Sequence, residues 1–247
     1  MTREEEIIAI VSEKKKIQVN ELSNRLNVSK VTIRKDLDKL EQRGIIHRQH
    51  GFALINNFDD LNYRLSKHYD LKRKIAIEAA KQVADGETVM IESGSTCALL
   101  AEELAFHKQD VTIITNSCFI ASYVRKSETI KIILLGGDYQ KDSQVNVGPL
   151  LKQSVKNFFV DKLFVGIDGF DQTRGFTGSN MARSDASRCL ANCAEKTIIL
   201  TDSSKFTNKG IISVLSFTEV AEVYTDNGLS EPHHLFLHEN GIKVTLI

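Results

Sequence analysis

From residue 87 onward the chain repeats one pattern, and that pattern constrains the fold more than any other feature. Short runs rich in β-branched residues alternate with longer amphipathic stretches. The runs fall at residues 88–92, 111–115, 130–135, 162–166, 197–201, 220–225 and 242–246. Helical stretches at residues 96–105, 118–126, 148–159, 183–195 and 232–239 lie between most of them. Short strands that are apolar throughout are covered on both faces. Strands separated by helices pair in parallel through crossovers and not as hairpins. The expectation is an α/β domain: a mostly parallel sheet between helical layers.

In such sheets ligands bind beyond the carboxyl ends of the strands, so the residues just past each run carry the information. The first run leads into Glu92-Ser93-Gly94-Ser95-Thr96, the second into Asn116-Ser117 and the third into Gly136-Gly137. The fourth leads into Ile167-Asp168-Gly169 and the fifth into Asp202-Ser203-Ser204-Lys205. Gly94-Ser95-Thr96 opens a helix, whose unpaired amides and dipole favour an anion such as phosphate. Lys205 supplies a point charge for the same anion. A Gly-Ser-Thr turn alone is a common strand-to-helix turn. Five polar strand ends in register point to a small-anion site.

The first third of the chain has a different period. Ile7, Ile8, Ile10 and Val11 mark one face of a helix over residues 3–14. A second, shorter helix starts near Val19, with Asn20 as its cap and Leu22 and Leu26 inward. Asn27-Val28 turns the chain, and Ser29 caps a third helix that runs to about Arg43 and stops at Gly44. On it Ile33, Leu37 and Leu40 form the buried stripe, while Val31, Thr32, Arg34, Lys35 and Asp38 point away. This is a helix-turn-helix layout, whose last helix enters the major groove of DNA by its N-terminal residues. Residues 45–55 then read as a hairpin, or wing, with Arg48 and His50 near its tip suited to phosphate or minor-groove contact.

Charge supports that division. The whole chain has 32 Lys and Arg against 32 Asp and Glu, which taken alone argues against a polyanion partner. Residues 1–75, however, hold 16 basic and 11 acidic side chains, a net of +5, and the remainder carries −5. A basic segment joined to an acidic one is a pointer to nucleic-acid binding. Between the two, Arg64 and Lys72-Arg73-Lys74 precede an amphipathic helix through Ile75, Ala76, Ala79, Ala80 and Val83, the basic triplet either adding phosphate contacts or, the favoured reading, solubilising the helix start.

These residues carry a resemblance. Val28-Ser29-Lys30-Val31-Thr32-Ile33-Arg34-Lys35-Asp36-Leu37, then Gly44 and Arg48-Gln49-His50-Gly51-Phe52-Ala53, resembles the winged helix-turn-helix of the DeoR family of bacterial transcriptional regulators. Residues 92–96, Thr115-Asn116-Ser117, Gly136-Gly137, Gly166-Ile167-Asp168-Gly169 and Asp202-Ser203-Ser204-Lys205-Phe206 resemble that family's effector domain, in the same order. The resemblance implies DNA-binding residues Ser29, Lys30, Thr32, Arg34, Lys35, Arg48 and His50. It implies an effector site drawn from Glu92, Ser93, Gly94, Ser95, Thr96, Asn116, Ser117, Gly136, Gly137, Asp168, Gly169, Asp202 and Lys205. The domains it implies are residues 1–57 (winged helix), 58–74 (connector) and 75–247 (sugar-phosphate sensing), the last similar to sugar-phosphate isomerases and CoA transferases. Four positions depart from the pattern. Lys35 stands for a second Arg and cannot reproduce a bidentate guanine contact. Phe52 replaces the second wing glycine, which restricts the backbone there. Glu92 stands where Asp is commoner, and Asp185 lies near where a helix Glu is often found.

The implied function is a regulator, most simply a repressor, of a sugar-metabolism operon. Its partners would be double-stranded operator DNA and a phosphorylated sugar, and its assembly a homodimer or homotetramer. The alternative is an isomerase- or deaminase-like enzyme in which Asp168 and Asp171 act as acid and base; hydrogen bonding of Asp168 to sugar hydroxyls, or capping of a turn, is the simpler role. No cofactor and no metal are expected. His234 and His238 are spaced four apart without an evident third ligand, and Cys189 and Cys193 read as packed helix residues. No apolar run reaches the roughly 20 residues a membrane helix needs. The start of the chain lacks the layout of a signal peptide and its four cysteines are dispersed. The expected compartment is the cytoplasm.

Overall fold

The computed structural model describes residues 3–14, 16–42, 46–54 and 61–247. They divide into two compact units, residues 1–70 and 71–247. The expected helix stop at Gly44 and the ends of the hairpin run, Ile45 and Ile55, lie outside the described residues.

In the first unit the order is α1 (Arg3–Lys14), β1 (Lys16–Gln18), α2 (Val19–Arg25), α3 (Lys30–Gln42), β2 (His47–Gln49), β3 (Phe52–Leu54) and α4 (Leu61–Ser66). Ile7, Ile8, Val11, Leu22, Ile33, Leu37 and Leu40 are buried and form its core. Each contributes about 1.5–3 kcal/mol relative to an exposed position. Ile10 and Leu26, expected to face inward, are half-buried. Asn20 is not a cap: Lys16–Gln18 pairs with Phe52–Leu54 as a strand, so the chain enters α2 directly and Gln18 occupies the capping position. A strand of three residues is too short to show a period. Asn27 makes the turn into α3 in the left-handed conformation (φ 51°). A contact without a sequence pattern ties α1 to α3. Arg3 Nε and Nη2 donate to the two carboxylate oxygens of Asp36 at 2.5 and 3.1 Å, and Asp36 is only 3% exposed. A bidentate fork of this kind satisfies a carboxylate that burial would otherwise penalise.

The wing is present as β2 and β3, with β1 completing the order β1-β3-β2. Its turn is His50-Gly51, both with positive φ (48° and 82°), the two-residue type that matches strand twist. Phe52 therefore lies outside the turn. It opens β3 opposite Gln49, where extended backbone suits any side chain, and its ring centroid lies 4.3 Å from Lys16 Nζ. The missing second glycine does not deform the turn.

The second unit contains α5 (Tyr69–Ala80), β4 (Thr88–Ile91), α6 (Ser95–His107), β5 (Val111–Thr115), α7 (Cys118–Tyr123), β6 (Ile130–Leu134), β7 (Asp138–Gln140) and β8 (Val145–Val147). It continues with α8 (Pro149–Val155), β9 (Val160–Val165), β10 (Gly169–Asp171), β11 (Gly175–Gly178), α9 (Met181–Ala191) and β12 (Ala194–Leu200). A 3-10 turn (Ser203–Thr207), β13 (Ile212–Leu215), β14 (Glu222–Thr225), α10 (Glu231–Glu239) and β15 (Lys243–Leu246) end it. All seven expected strands lie in one sheet, order β15-β14-β12-β9-β4-β5-β6, and every pairing in it is parallel. Consecutive buried residues in β4, β5, β9, β12 and β14 show that both faces are covered.

Lys72 departs from its expected role. It is 4% exposed, because on α5 it shares a face with Ile75, Ala76 and Ala79, whereas Arg73 and Lys74 are exposed. Cys193 lies beyond the end of α9, so it is not a helix residue, although it is buried. Burial raises the thiol pKa of Cys189 and of Cys193.

Candidate functional site

The outer face of α3 is set by its first turn. Ser29 Oγ accepts the Thr32 amide at 3.1 Å and shares a hydrogen bond with Thr32 Oγ1 at 2.9 Å, which fixes the helix start. The hydroxyl of Thr32 is thereby occupied and the residue half-buried. Lys30, Arg34 and Lys35 are exposed, and none forms an ion pair among the described residues. Other cations of the same unit are paired: Arg3 with Asp36, Lys39 with Glu4, Arg25 and Lys14 with Glu21. Arg48 is also engaged. Its guanidinium pairs with Asp38 and its backbone amide donates to Glu41 Oε1 at 2.9 Å, so two acids of α3 hold the first strand of the wing. His50 stands at the exposed wing turn.

The second candidate lies at the carboxyl edge of the large sheet. Because all seven strands are parallel, their carboxyl ends form one rim. Strand order reverses beside β4: β5 and β6 build outward on one side, β9, β12, β14 and β15 on the other. The reversal falls between β4 and β9, and ligands of open α/β sheets bind at such a point.

The residues there are closely fitted. An added Cβ at Gly94 would lie 3.1 Å from Gly166 Cα and 3.2 Å from Cys97 Sγ, so two glycines let the loops after β4 and β9 approach backbone to backbone. Glu92 bridges the same pair of strands: Ser93 Oγ donates to Oε1 at 2.7 Å and the Gly166 amide lies 3.4 Å from Oε2. Gly94 caps α6 with backbone alone, and Ala98 N–H is bonded back to Gly94 O, so the amides before it have no helical carbonyl to reach. Ser95 is half-buried, whereas Ser93 and Thr96 are buried.

Beyond β9 Asp168 Oδ2 accepts from the Ser179 amide (3.0 Å) and hydroxyl (2.6 Å). Gly169 packs under the loop beyond the 3-10 turn; an added Cβ would lie 2.6 Å from Asn208 O and 2.9 Å from Gly210 N. Asp202 caps that turn through the Ser204 amide and hydroxyl. Lys205 is half-buried and forms no ion pair among the described residues, while Lys209 pairs with Asp171 at 3.1 Å. Thr173 hydroxyl and amide, with Lys209, hold the Asp171 carboxyl well below the usual range. A group so firmly ionised is a poor general acid.

On the β5 side Asn116 is 1% exposed; its Nδ2 donates to Asn146 O at 3.0 Å, and its Oδ1 has no partner among the described residues. Ser117 Oγ caps α7 by accepting from Ile120 N at 3.1 Å. Gly137 sits against the carbonyl of Val147, with no room for a Cβ, which closes the β7–β8 pair. Gly136 and Gly137 come after β6, four strand spacings from Asp202. At about 4.8 Å per spacing that is roughly 19 Å, farther than one monosaccharide phosphate extends. The rim thus brings residues 92–95, Gly166, Asp168, Asp202 and Lys205 toward the β4–β9–β12 side and leaves the glycine pair at the other. Asp185 lies in α9, bonded to Lys152 of α8 at 2.5 Å and to Arg188; Lys152 lowers its pKa.

Three contributors have no counterpart among the sequence expectations. Ser179 and Asn146 arrive through strands of three or four residues, too short for a period. Asn180, whose Oδ1 accepts the Arg183 amide at 3.1 Å, is legible as a cap before Met181. Among the described residues no group of three His, Cys, Asp or Glu side chains is placed to hold a metal ion, His234 and His238 included. No helix among them is long and apolar enough to cross a membrane.

Residues 3–58 match the DeoR-like helix-turn-helix domain and residues 67–227 the DeoR C terminal sensor domain. The chain is 30% identical over 230 residues to the L-fucose operon activator of Escherichia coli K12, covering 91% of this chain and 94% of that protein. It is 29% identical over 231 residues to the lactose phosphotransferase system repressor of Streptococcus mutans, covering 91% of each. Among solved structures, ribose 5-phosphate isomerase A of Methanocaldococcus jannaschii is 24% identical with a TM-score of 0.41, over 56% of this chain and 55% of that one; a likeness of that degree carries no inference about activity. With both units matched and relatives aligned along most of its length, the chain belongs to the DeoR family of transcriptional regulators.

Proposed function

We propose that the protein is a repressor of a sugar-metabolism operon, and that a phosphorylated sugar bound beyond the carboxyl ends of β4 and β9 sets its affinity for operator DNA. The observation that carries this reading is a contrast in ion pairing. The cations at the start of α3 lack acidic partners among the described residues, and so does Lys205 at the rim, while cations beside them are paired. Cations kept free of internal partners are available to phosphate, of a duplex in one unit and of a small ligand in the other.

In the first unit Thr32, Arg34 and Lys35 face bases, Lys30, Arg48 and His50 hold the phosphate backbone, and Ser29 fixes the helix start. Arg48 must exchange Asp38 for a phosphate to do so. In the second, the amides of Gly94, Ser95 and Thr96 with Lys205 receive the phosphate, while Asn116, Asp168 and Asp202 face the sugar. The relatives named for L-fucose and lactose systems support a sugar; as one is an activator and the other a repressor, the sign rests on the second. One winged helix spans one half-site, so a homodimer or homotetramer matches a palindromic operator. The protein acts in the cytoplasm and turns nothing over: incubation with ribose, deoxyribose, hexosamine and ketose phosphates should give no product at enzyme-like rates.

The reading is tested by selecting duplexes from a random pool with the full-length protein and measuring a gel shift on the recovered sequence. Lys35→Ala should weaken that complex by about 1–3 kcal/mol; unchanged affinity would remove Lys35 from the reading face. Thermal-shift screening against phosphorylated sugars should find a selective stabiliser. Deleting the gene should raise expression of the regulated operon, and a fall would reverse the sign.

A further inference from the structure

Val31 is an apolar side chain where the surroundings call for a polar one. It is 61% exposed. At 100° per residue it lies at the middle of the outer face of α3, in line with Lys35 one turn on and with Asp38 and Gln42 beyond. Valine is a weak helix former, because its branched Cβ loses rotamer freedom against the preceding turn, and an exposed site returns none of that cost through burial. A lone exposed apolar residue is ordinary on a protein surface. Val31 differs in position. It occupies the first turn of the helix, held by the Ser29–Thr32 cap, beside three exposed cations that have no ion pair among the described residues.

A partner that meets cations and an isopropyl group together must be polyanionic yet carry an apolar group between its polar ones. The major groove of duplex DNA has that chemistry, the C5 methyl of thymine being the apolar group on its base edges. Thr32 is half-buried with its hydroxyl bonded to Ser29, and Arg34 and Lys35 supply donors only. We infer that Val31 reads a thymine in the operator by packing on its C5 methyl. The inference rests on the DNA-binding reading above and adds a base preference to it.

The test uses the full-length protein and duplexes it enriches from a random pool. Each thymine of the recovered sequence is replaced singly by uracil, which removes only the methyl. At one position in each half-site uracil should lower wild-type affinity about fourfold, the worth of one buried methyl. Val31→Ala, which puts a better helix former at an exposed site, should lose most of the thymine preference at that position and keep its preferences elsewhere. Wild-type protein indifferent to uracil at every position, or Val31→Ala retaining the full loss, would overturn the inference. A pool that yields no enriched sequence would overturn the DNA-binding reading, and this inference with it.

Discussion

The two candidate sites are built in opposite ways. On α3 the groups proposed to meet DNA project from a helix whose buried face carries the fold, so in this reading base contact and stability use different residues. At the rim of the large sheet the residues proposed to meet the effector also hold the fold. Glu92 and Asp168 accept hydrogen bonds from neighbouring loops, Asp202 caps its own turn, and Gly94 and Gly169 are required by backbone contacts. On this reading the DNA-facing surface can change residue by residue, whereas the proposed sensing rim can change only with the loops it holds together.

That contrast is most easily broken at Gly169. An alanine there must push Asn208 and Gly210 away, and overpacking of this kind costs about 1–3 kcal/mol. Thermal unfolding of Gly169→Ala should show that loss, with effector response impaired and operator affinity retained. An alanine tolerated without change would mean that the loop following the Lys205 turn is not held by Gly169.

A smaller effect is expected at Asp38. Removing its charge frees Arg48 and takes an anion from the DNA-facing side, so Asp38→Ala should bind duplex DNA a few-fold more tightly, by no more than about 1 kcal/mol, and with a steeper salt dependence. Weaker binding would instead make Asp38 a positioning residue for Arg48.

The smallest effect is a pH dependence. Asp171 is held ionised by Thr173, the Arg174 amide and Lys209. Its folded-state pKa is depressed, so its contribution is complete above the ordinary carboxylate range and is lost as pH falls below that range through the folded value. Thr173→Ala should move the Asp171 titration upward in a carboxyl NMR experiment; an unmoved titration would assign the depression to the backbone amides and Lys209.

Much of this is legible in the sequence because periodicity survives translation into structure. The Ile33, Leu37 and Leu40 stripe defines the outer face of α3, and seven apolar runs become seven strands of one parallel sheet. Parallel pairing then places their polar ends on one edge without further information. Three-residue strands have no period to detect, so β1, β10 and the approach of Ser179 to Asp168 leave no sequence signal. The Arg3–Asp36 fork joins residues 33 apart and leaves no local trace. Lys72 shows the reverse error: a basic triplet suggests solvent, but helical phase decides which of its members is buried.

Everything proposed for the second unit turns on whether a phosphate bound beside Lys205 alters DNA binding by α3. An anisotropy titration of the full-length protein on its selected duplex, with a panel of phosphorylated sugars and their unphosphorylated counterparts, asks this directly. One phosphorylated sugar should shift wild-type operator affinity, and its unphosphorylated form should not. Lys205→Ala should bind the duplex normally and need at least about tenfold more effector, as loss of a charge-assisted hydrogen bond requires. An identical effector response in Lys205→Ala and wild type would show that the phosphate does not bind there.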